Sequence, residues 1–152
     1  MNILIAAIGK WKSGPERALY EHYVARMPWK MTLRELEIKK SLPAKALQMQ
    51  EAEKLLNACK DAEHLMALDE RGKETSSVEF ARHLQKKKDH GIRSVAFIIG
   101  GADGLHESVR ARAHQTFSFG RITWPHLLMR GLLAEQLYRA HTIMTGHPYH
   151  RE

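Results

Sequence analysis

Apolar and polar positions along the chain switch between two periods, and the switching predicts strands and helices in strict alternation. Five short runs are mostly apolar and end at glycine or polar residues, the pattern of strands buried on both faces of a sheet. These runs cover residues 2–8, 31–38, 64–68, 95–99 and 116–122. Between them apolar residues recur at helical spacing, which predicts helices that begin near residues 15, 43, 77, 107 and 125.

This alternation indicates an α/β protein with one domain over residues 1–152. Apolar strands joined by helices imply a five-stranded, mostly parallel sheet with helices on both faces. Ligands of such sheets bind outside the carboxyl ends of the strands. Three unusual loops follow strands at that edge and cover residues 68–73, 100–105 and 119–125. The sequence therefore predicts a ligand site built from these three loops.

The composition narrows the class of partner more than the class of fold. The chain has 152 residues, 43% of them hydrophobic, which is enough to bury the core of about one ordinary domain. Its formal net charge of +7 favours a polyanionic partner. We therefore prefer nucleic acid as the partner over the simpler interpretation, a lysine-rich surface that only keeps the protein in solution.

Several classes of protein are excluded or disfavoured by the same composition. No apolar run approaches the ~20 residues of a membrane span, and the run over residues 3–8 is too short for a secretory leader. We therefore expect a cytoplasmic protein with no membrane partner. Cys59 is the only cysteine, which excludes an intrachain disulfide and a Cys-based zinc cluster. Its apolar neighbours favour a core position, and without a His-Glu-x-x-His motif no metal is expected.

Two glycine-containing loops are candidate ligand cradles. Residues 100–104 read Gly-Gly-Ala-Asp-Gly after a strand, so their backbone can approach a ligand, although a purely structural turn is as compatible. They match neither the dinucleotide fingerprint nor the phosphate-binding loop. In the turn over residues 119–125, Thr123 is expected to cap the following helix. Trp124, beside Gly120, is expected either to line a pocket for a flat base or to belong to the core.

The last predicted helix and the tail behind it concentrate cationic and ionisable side chains. Arg130 and Arg139 flank its apolar stripe. A buried arginine needs a partner, for which Glu135 is a candidate, and RNA phosphate is the alternative. The tail then brings together His147, Tyr149, His150 and Arg151. Without a nucleophile elbow, its candidate roles are general base, base stacking and phosphate contact, against a tail with no ordered role.

Motifs in these segments together resemble one known family. Pro125-His126, Glu135-x-x-Tyr138-Arg139-Ala140 and Tyr149-His150, with the three loops, are similar to the ribosomal RNA large-subunit methyltransferase H family. This family is the smallest branch of the SPOUT methyltransferases, and the resemblance covers essentially the whole chain. It implies a five-stranded α/β sheet whose C-terminal part forms a deep trefoil knot, an exception to the general absence of knots.

The resemblance also implies an activity. The family is homodimeric and uses S-adenosyl-L-methionine to methylate N3 of a pseudouridine in 23S large-subunit rRNA, and we expect assembled ribosomes to be the substrate. The family often has serine where Gly120 stands, so a contact there would be made by the backbone. The cofactor contacts implied for this chain are Leu68, Gly100, Phe119, Gly120, Arg121, Ile122, Thr123 and Trp124.

A sulfonium methyl group is already activated, so the reaction needs no metal and no covalent nucleophile. The protein must align the target nitrogen with the methyl group and remove one proton. We hypothesise that Tyr149 and His150 close over the base, with His150 as the candidate proton acceptor. Arg151 is a candidate partner of a phosphate or of the imidate, and Arg139 and the three lysines at 86–88 are candidate phosphate contacts.

Three other functions remain open at this point. The chain could be a SPOUT methyltransferase that acts on tRNA, or a non-catalytic RNA-binding assembly protein, and the charge fits both. An NAD-binding enzyme is disfavoured because the glycine fingerprint and its acidic residue are missing. Binding of S-adenosyl-L-methionine would separate the methyltransferases from the other two classes.

Overall fold

Ten elements alternate along the chain in the computed structural model, which describes residues 1–38 and 42–151. The strands are β1 (Asn2–Ile8), β2 (Lys30–Leu36), β3 (His64–Glu74), β4 (Ser94–Ile99) and β5 (Gln115–Ser118). The helices are α1 (Pro15–Arg26), α2 (Ala44–Ala58), α3 (Ser77–Asp89), α4 (Glu107–Arg112) and α5 (His126–Thr145). All strand pairs are parallel, in the order β2-β1-β4-β3-β5. The predicted α/β class and five-stranded parallel sheet are confirmed, and the trefoil knot stays a prediction.

Helices cover the sheet on both faces, as the apolar strands require. On one face α1, α3 and α5 pack on a core that contains Ile5, Phe97 and Phe117. On the other face α2 and α4 pack on small strand residues such as Ala67. Cys59 lies in this second core, where burial raises the pKa of its thiol to about 12. The sequence prediction of a core cysteine is therefore confirmed.

The strand predictions for β3 and β5 need correction at their carboxyl ends. We predicted that β3 ends at Leu68, but it resumes pairing with β5 after a register break between Leu68 and Lys73. A side chain at Gly72 would come within 2.6 Å of the Phe117 backbone, so only glycine lets the strands approach here. We predicted β5 to residue 122, but it ends at Ser118. The Ser118 hydroxyl donates to the carbonyl of Gly120, at 2.7 Å, and Gly120 turns the chain away with φ +99°.

The start of α5 differs from the prediction, whereas its end has an ordinary glycine cap. The N-cap residue is Pro125, and no side chain caps this end, so the prediction that Thr123 caps the helix is wrong. Proline fixes the backbone entry into the helix and has no N–H group that needs a partner. At the other end Gly146 adopts a left-handed conformation with φ 69°, which releases the tail.

Arg130 ties α5 to the carboxyl end of β1. Its side chain is fully buried, and its guanidinium donates to the Glu35 carboxylate at 2.9 Å. It also donates to the carbonyls of Ile8 and Gly9, each at 2.7 Å. The prediction that Glu135 pairs with an arginine of this helix is confirmed for Arg139 and wrong for Arg130, whose partner comes from β2. A contact of Arg130 with RNA phosphate is also wrong, because its side chain is fully buried.

Three histidine rings stack at the amino end of β3. The His64 ring lies 4.8 Å from that of His114 and 5.6 Å from that of His83. His64 is only 4% exposed, and burial, together with Lys87 and the other two histidines, lowers its pKa to about 4. Burial also lowers the pKa of His83. Both rings are therefore neutral at physiological pH.

Within the described residues, no helix combines the length and apolar character needed to cross a membrane.

Candidate functional site

A cavity of about 320 Å³ opens at the carboxyl edge of the sheet, where β4, β3 and β5 lie side by side. It is lined by residues 68–71 of β3, by the loops that follow β4 and β5, and by the first turn of α5. Because sequence-distant loops meet wherever parallel strands are neighbours, the strand order itself explains this convergence. We call it the cofactor-edge cavity. Its lining includes Leu68, Asp69, Gly100, Leu105, Phe119 and Trp124.

The loop after β4 forms a compact cradle in the floor of the cavity. Gly101 and Gly104 pair as an isolated antiparallel bridge, with the Gly104 amide donating to the Gly101 carbonyl at 3.1 Å. Gly104 has φ +77°, a conformation that favours glycine. A side chain at Gly100 would lie 2.9 Å from the Gly104 backbone. The glycines therefore expose backbone to the cavity where larger residues would fill it.

The segment over residues 119–125 forms the opposite wall. Trp124 is 39% exposed and its indole nitrogen donates to the Phe119 carbonyl at 3.4 Å. Ile122 is 69% exposed, although it also lines the cavity. Large apolar side chains exposed together at a cavity mouth are typical of ligand or partner contacts. Of the two predictions for Trp124, the structure places it in the cavity wall and outside the core.

Charged groups on the rim come from two loops and from α4. The Asp69 carboxylate accepts from the Arg71 amide at 2.9 Å and from the Arg110 guanidinium at 3.2 Å. The Asp69 side chain is only 6% exposed, so this pair is largely removed from water. Glu70 and Asp103 line the same cavity and are exposed. Two rim carboxylates therefore remain accessible to a cationic group of a ligand.

A second cavity, of about 280 Å³, lies between the first turn of α3 and α5. It shares the Phe119 and Trp124 side chains with the cofactor-edge cavity. Its opposite wall contains Glu135 and Gln136, and the Gln136 amide oxygen accepts from the Ser77 hydroxyl at 2.7 Å. The Phe119 and Trp124 side chains therefore form a wall that the two cavities share.

The C-terminal tail folds back on α1 and α5, where Glu135 holds it. The Tyr149 hydroxyl donates to the Glu135 carboxylate at 3.0 Å and lies 3.3 Å from the Tyr23 hydroxyl. The Tyr149 ring meets the Tyr138 ring edge-on at 4.9 Å, and the Arg139 guanidinium lies 4.8 Å from its centre. Burial and these hydrogen bonds raise the pKa of Tyr149, so its hydroxyl stays protonated at neutral pH.

His150 is held by Arg139. The guanidinium of Arg139 lies 3.2 Å from the His150 Nδ1 atom, and because arginine can only donate, Nδ1 accepts. In the neutral ring the proton then sits on Nε2, which is buried and has no hydrogen-bond partner among the described residues. Arg151 is exposed. His147 is ordered as well, since its Nδ1 atom accepts from the Tyr149 amide at 3.2 Å, so the tail presents two hydrogen-bonded imidazoles and one exposed cation.

The structure brings most of the predicted cofactor residues together, and it separates them from the tail. All the predicted contacts except Arg121 line the cofactor-edge cavity. The Arg121 side chain is 93% exposed and pairs with Glu74 at 3.3 Å. None of residues 147–151 lines the cavity of its own protomer. The arrangement thus consists of a cofactor-sized cavity and a tail cluster that does not close over it.

Sequence reasoning missed several residues that line the cavity. His126 and Met129 enter it from the first turn of α5, and Phe117 enters from β5. The Pro125-His126 motif pointed to His126, but a single sequence does not show which face of α5 lines a cavity. Among the described residues, no group of three or more metal-ligating side chains is arranged to hold an ion.

Comparison with known proteins defines the class that this fold and cavity represent. A family model described as "Predicted SPOUT methyltransferase" matches residues 1–150. A probable methylase family protein from Haemophilus influenzae has a similar fold, with a TM-score of 0.60 over 99% of this chain and 71% of that one, at 15% identity. A probable methyltransferase from Bordetella pertussis gives a TM-score of 0.57 over 91% of this chain and 95% of that one, at 14% identity. The fold and the cavity are those of a SPOUT methyltransferase.

Two relatives at much higher identity narrow the class to a family. Proteins named "Ribosomal RNA large subunit methyltransferase H" from Paramagnetospirillum magneticum and Rhodospirillum centenum are 51% and 48% identical to this chain over 151 residues. Each match covers 99% of this chain and 99% of the relative. The chain belongs to the ribosomal RNA large subunit methyltransferase H family, whose members use S-adenosyl-L-methionine.

The residues present fit this cofactor. Glycine at position 100 lets the cradle fold tightly, since a Cβ atom there would lie 2.9 Å from the Gly104 backbone, and the folded cradle forms part of the cavity lining. Leu68, Phe117 and Trp124 supply apolar walls for a flat adenine ring. The exposed carboxylates of Glu70 and Asp103 suit the cofactor's cationic amino group. The lining of the cavity is therefore compatible with S-adenosyl-L-methionine.

Proposed function

We propose that this protein is a homodimeric, cytoplasmic methyltransferase that methylates N3 of a pseudouridine in 23S rRNA on assembled ribosomes. The chain acts as one SPOUT domain over residues 1–152 and uses S-adenosyl-L-methionine. One observation carries the proposal: loops after three neighbouring strands form a cavity that suits this cofactor. The full-length similarity to relatives named as rRNA methyltransferases supports the substrate class.

The chain's first task is to hold the cofactor and exclude water. When bound, the cofactor supplies a methyl group that is already activated by a positively charged sulfur. Leu68, Gly100 and the segment over residues 119–124 form the binding surface, with Arg121 contributing through its backbone because its side chain points to solvent. Apolar walls keep water away from the methyl group, and the glycine cradle fixes its direction.

The second task is to take one proton from the target nitrogen. In the arrangement of the structure, Tyr149 is a protonated donor and His150 accepts from Arg139, so neither group is ready to act as a base. His150 becomes a proton acceptor when its contact with Arg139 breaks and Nδ1 is released. Tyr149 then orients the base as a hydrogen-bond donor.

Dimer formation provides the way to join tail and cavity. The tail packs on α1 and α5 of its own protomer and does not reach the cofactor-edge cavity there. In a dimer, the tail of one protomer can complete the partner's cavity, so the tail does not have to move to the cavity of its own chain. This geometry supports the homodimer as the active unit, with the site incomplete in a single protomer.

RNA binding comes from cations near the tail and on the helices. Arg151 is exposed and free to reach a phosphate, whereas Arg139 must leave part of its contact with Glu135 to do so. The lysines at 86–88 lie in the last turn of α3. The formal net charge of +7 supports a long-range attraction to rRNA that fades with salt.

The test is methyl transfer from tritiated S-adenosyl-L-methionine to four substrates taken from cells that lack the enzyme. The substrates are assembled ribosomes, isolated large subunits, naked 23S rRNA and tRNA. We expect label at one pseudouridine of 23S rRNA, mapped by mass spectrometry, with ribosomes preferred. Label in tRNA alone, or binding of ribosomes without transfer, would move the assignment to one of the alternatives.

Variants of the tail test its catalytic role. We expect His150→Ala to lower kcat at least a hundredfold, in the range of a lost general base, and Tyr149→Phe to lower it about tenfold. His22→Ala, exposed on α1, is the matched control and should keep full activity. Full turnover by both tail variants would exclude the tail from the chemistry while leaving the methyltransferase assignment intact.

A further inference from the structure

Two of the loops that form the cofactor-edge cavity are joined by one side chain of α4. The guanidinium of Arg110 donates through the same nitrogen to the Leu105 carbonyl at 2.6 Å and to the Asp69 carboxylate at 3.2 Å. Leu105 ends the glycine cradle after β4, and Asp69 begins the part of β3 where pairing with β5 is interrupted, between Leu68 and Lys73. Arg110 itself does not line the cavity.

Asp69 is occupied on both oxygens. One oxygen accepts from the Arg71 amide at 2.9 Å, and the other accepts from Arg110. The carboxylate is also almost fully buried, since its side chain is 6% exposed. A carboxylate at a cofactor cavity is by residue type a candidate ligand group, but this one is already committed to the protein. Its geometry is that of a tether that holds the interrupted part of β3 in shape.

The other contacts of the two segments hold each of them but do not join them. The bridge between Gly101 and Gly104 holds the cradle to itself, and the Gln48 side chain of α2 donates to the Asp103 carbonyl. Pairing of β3 with β5 is interrupted between Leu68 and Lys73. Arg110, which contacts both Leu105 and Asp69, therefore connects the cradle to the interrupted part of β3.

We propose that Arg110 is a positioning residue that sets cofactor affinity by holding the glycine cradle after β4 and the interrupted part of β3 at their binding distance. The proposal rests on the proposed function of the cavity as the S-adenosyl-L-methionine site. Arg110 acts through Asp69 and Leu105 and makes no contact with the cofactor. The binding energy of the cofactor is then not spent on ordering the loops, which is the general benefit of preorganisation.

The test compares Arg110→Met, Arg110→Lys and a matched control, Arg112→Met. Arg112 lies two residues further on the same helix and is exposed. Binding of S-adenosyl-L-methionine to the full-length protein is measured by isothermal titration, and methyl transfer to ribosomes is measured at varied cofactor concentration. We expect Arg110→Met to raise the Kd and the KM for the cofactor about tenfold, as for the loss of one charge-assisted hydrogen bond. We expect kcat at saturating cofactor to change less than about twofold.

A merely structural role would give a different pattern. It would lower the melting temperature and the active fraction, and so kcat, while the KM for the cofactor stayed the same. Arg110→Lys keeps the charge and one donor and should recover most of the affinity. An unchanged Kd in folded Arg110→Met, or an equal loss in Arg112→Met, would overturn the proposal.

Two further measurements keep the test decisive. If Arg110→Met does not fold, Asp69→Asn removes the charge from the other end of the same contact and is expected to raise the Kd to a similar extent. An unchanged Kd in folded Asp69→Asn would then overturn the proposal. Failure of the unchanged protein to bind S-adenosyl-L-methionine is a separate result, because it would contradict the proposed function as well as the clamp.

Discussion

Replacement of Arg130 by methionine tests how α5 is held to the sheet next to the cofactor-edge cavity. The guanidinium is fully buried and makes three hydrogen bonds of 2.7–2.9 Å, one to Glu35 and two to the carbonyls of Ile8 and Gly9. It also lies 4.9 Å from the centre of the Trp11 ring. Methionine keeps much of the side-chain volume but leaves all three oxygens without this donor.

The size of the effect follows from how much of the pair is buried. Removing one partner of a buried ion pair costs about 3–5 kcal/mol. Because the Glu35 side chain is 29% exposed and water can reach it, we expect the low end, about 3 kcal/mol in the free energy of unfolding. Domains of this size are stable by about 5–15 kcal/mol, so the variant should still fold.

Urea unfolding, followed by circular dichroism and by tryptophan fluorescence, measures this change. Arg17→Met is the control, because Arg17 pairs with Glu21 on the exposed face of α1 and its loss should change the free energy of unfolding far less. Glu35→Gln should lie between the two, since the amide can still accept from the Trp11 amide. A loss below about 1 kcal/mol in Arg130→Met would refute the argument that this buried cation holds α5 in place.

Three further predictions concern pH, the register break and RNA. His64 and His83 are neutral in the folded protein, so as pH falls from 7 to 5 the unfolded chain takes up protons that the folded chain refuses, and stability falls. With the pKa of His64 lowered to about 4, His64 contributes about 2 kcal/mol to this loss of stability. The urea midpoint of the unchanged protein should therefore fall as the pH falls, and the midpoint of His64→Phe should fall less steeply with pH. Gly72→Ala should push β3 away from Phe117 and weaken S-adenosyl-L-methionine binding more than tenfold in titration, and an unaffected Kd would contradict the clash. Replacing the lysines at 86–88 by glutamine should reduce the salt dependence of ribosome binding, and an unchanged slope would remove them from the RNA surface.

The sequence predicts most of the fold because its strands are apolar and end at glycine or polar residues. Residues 2–8 and 95–99 show this pattern without competing signals, and they form the centre of the sheet. Residues 69–74 lack this pattern although β3 includes them, and residues 119–122 continue it although β5 ends at Ser118, because pairing there depends on neighbours that are far away in sequence. The approach of Gly72 to the Phe117 backbone and the turn at Gly120 are contacts of the folded chain, and no local period encodes them.

The candidate site divides in the same way. Glycine loops behind strands and the family motifs identify residues such as Leu68 and Trp124, because chemistry and spacing are written locally. Hydrogen-bond partners that lie far apart in the sequence are not identified in this way. Arg130 lies 95 residues from Glu35, and Arg110 lies 41 residues from Asp69. Which cation meets which carboxylate follows from strand order and helix rotation, and a single sequence does not specify either in detail.

The single cysteine provides a chemical probe for separation of α2 from the sheet. Cys59 is 4% exposed at the end of α2, and burial keeps its thiol protonated, so in the closed state there is no thiolate to attack a thiol reagent. With no other sulfhydryl in the chain, any labelling measures how often the α2 layer separates from the sheet. The rate of modification with and without S-adenosyl-L-methionine then shows whether an occupied cavity reduces the motions of the α2 layer, which touches the cavity lining where Gln48 donates to the Asp103 carbonyl.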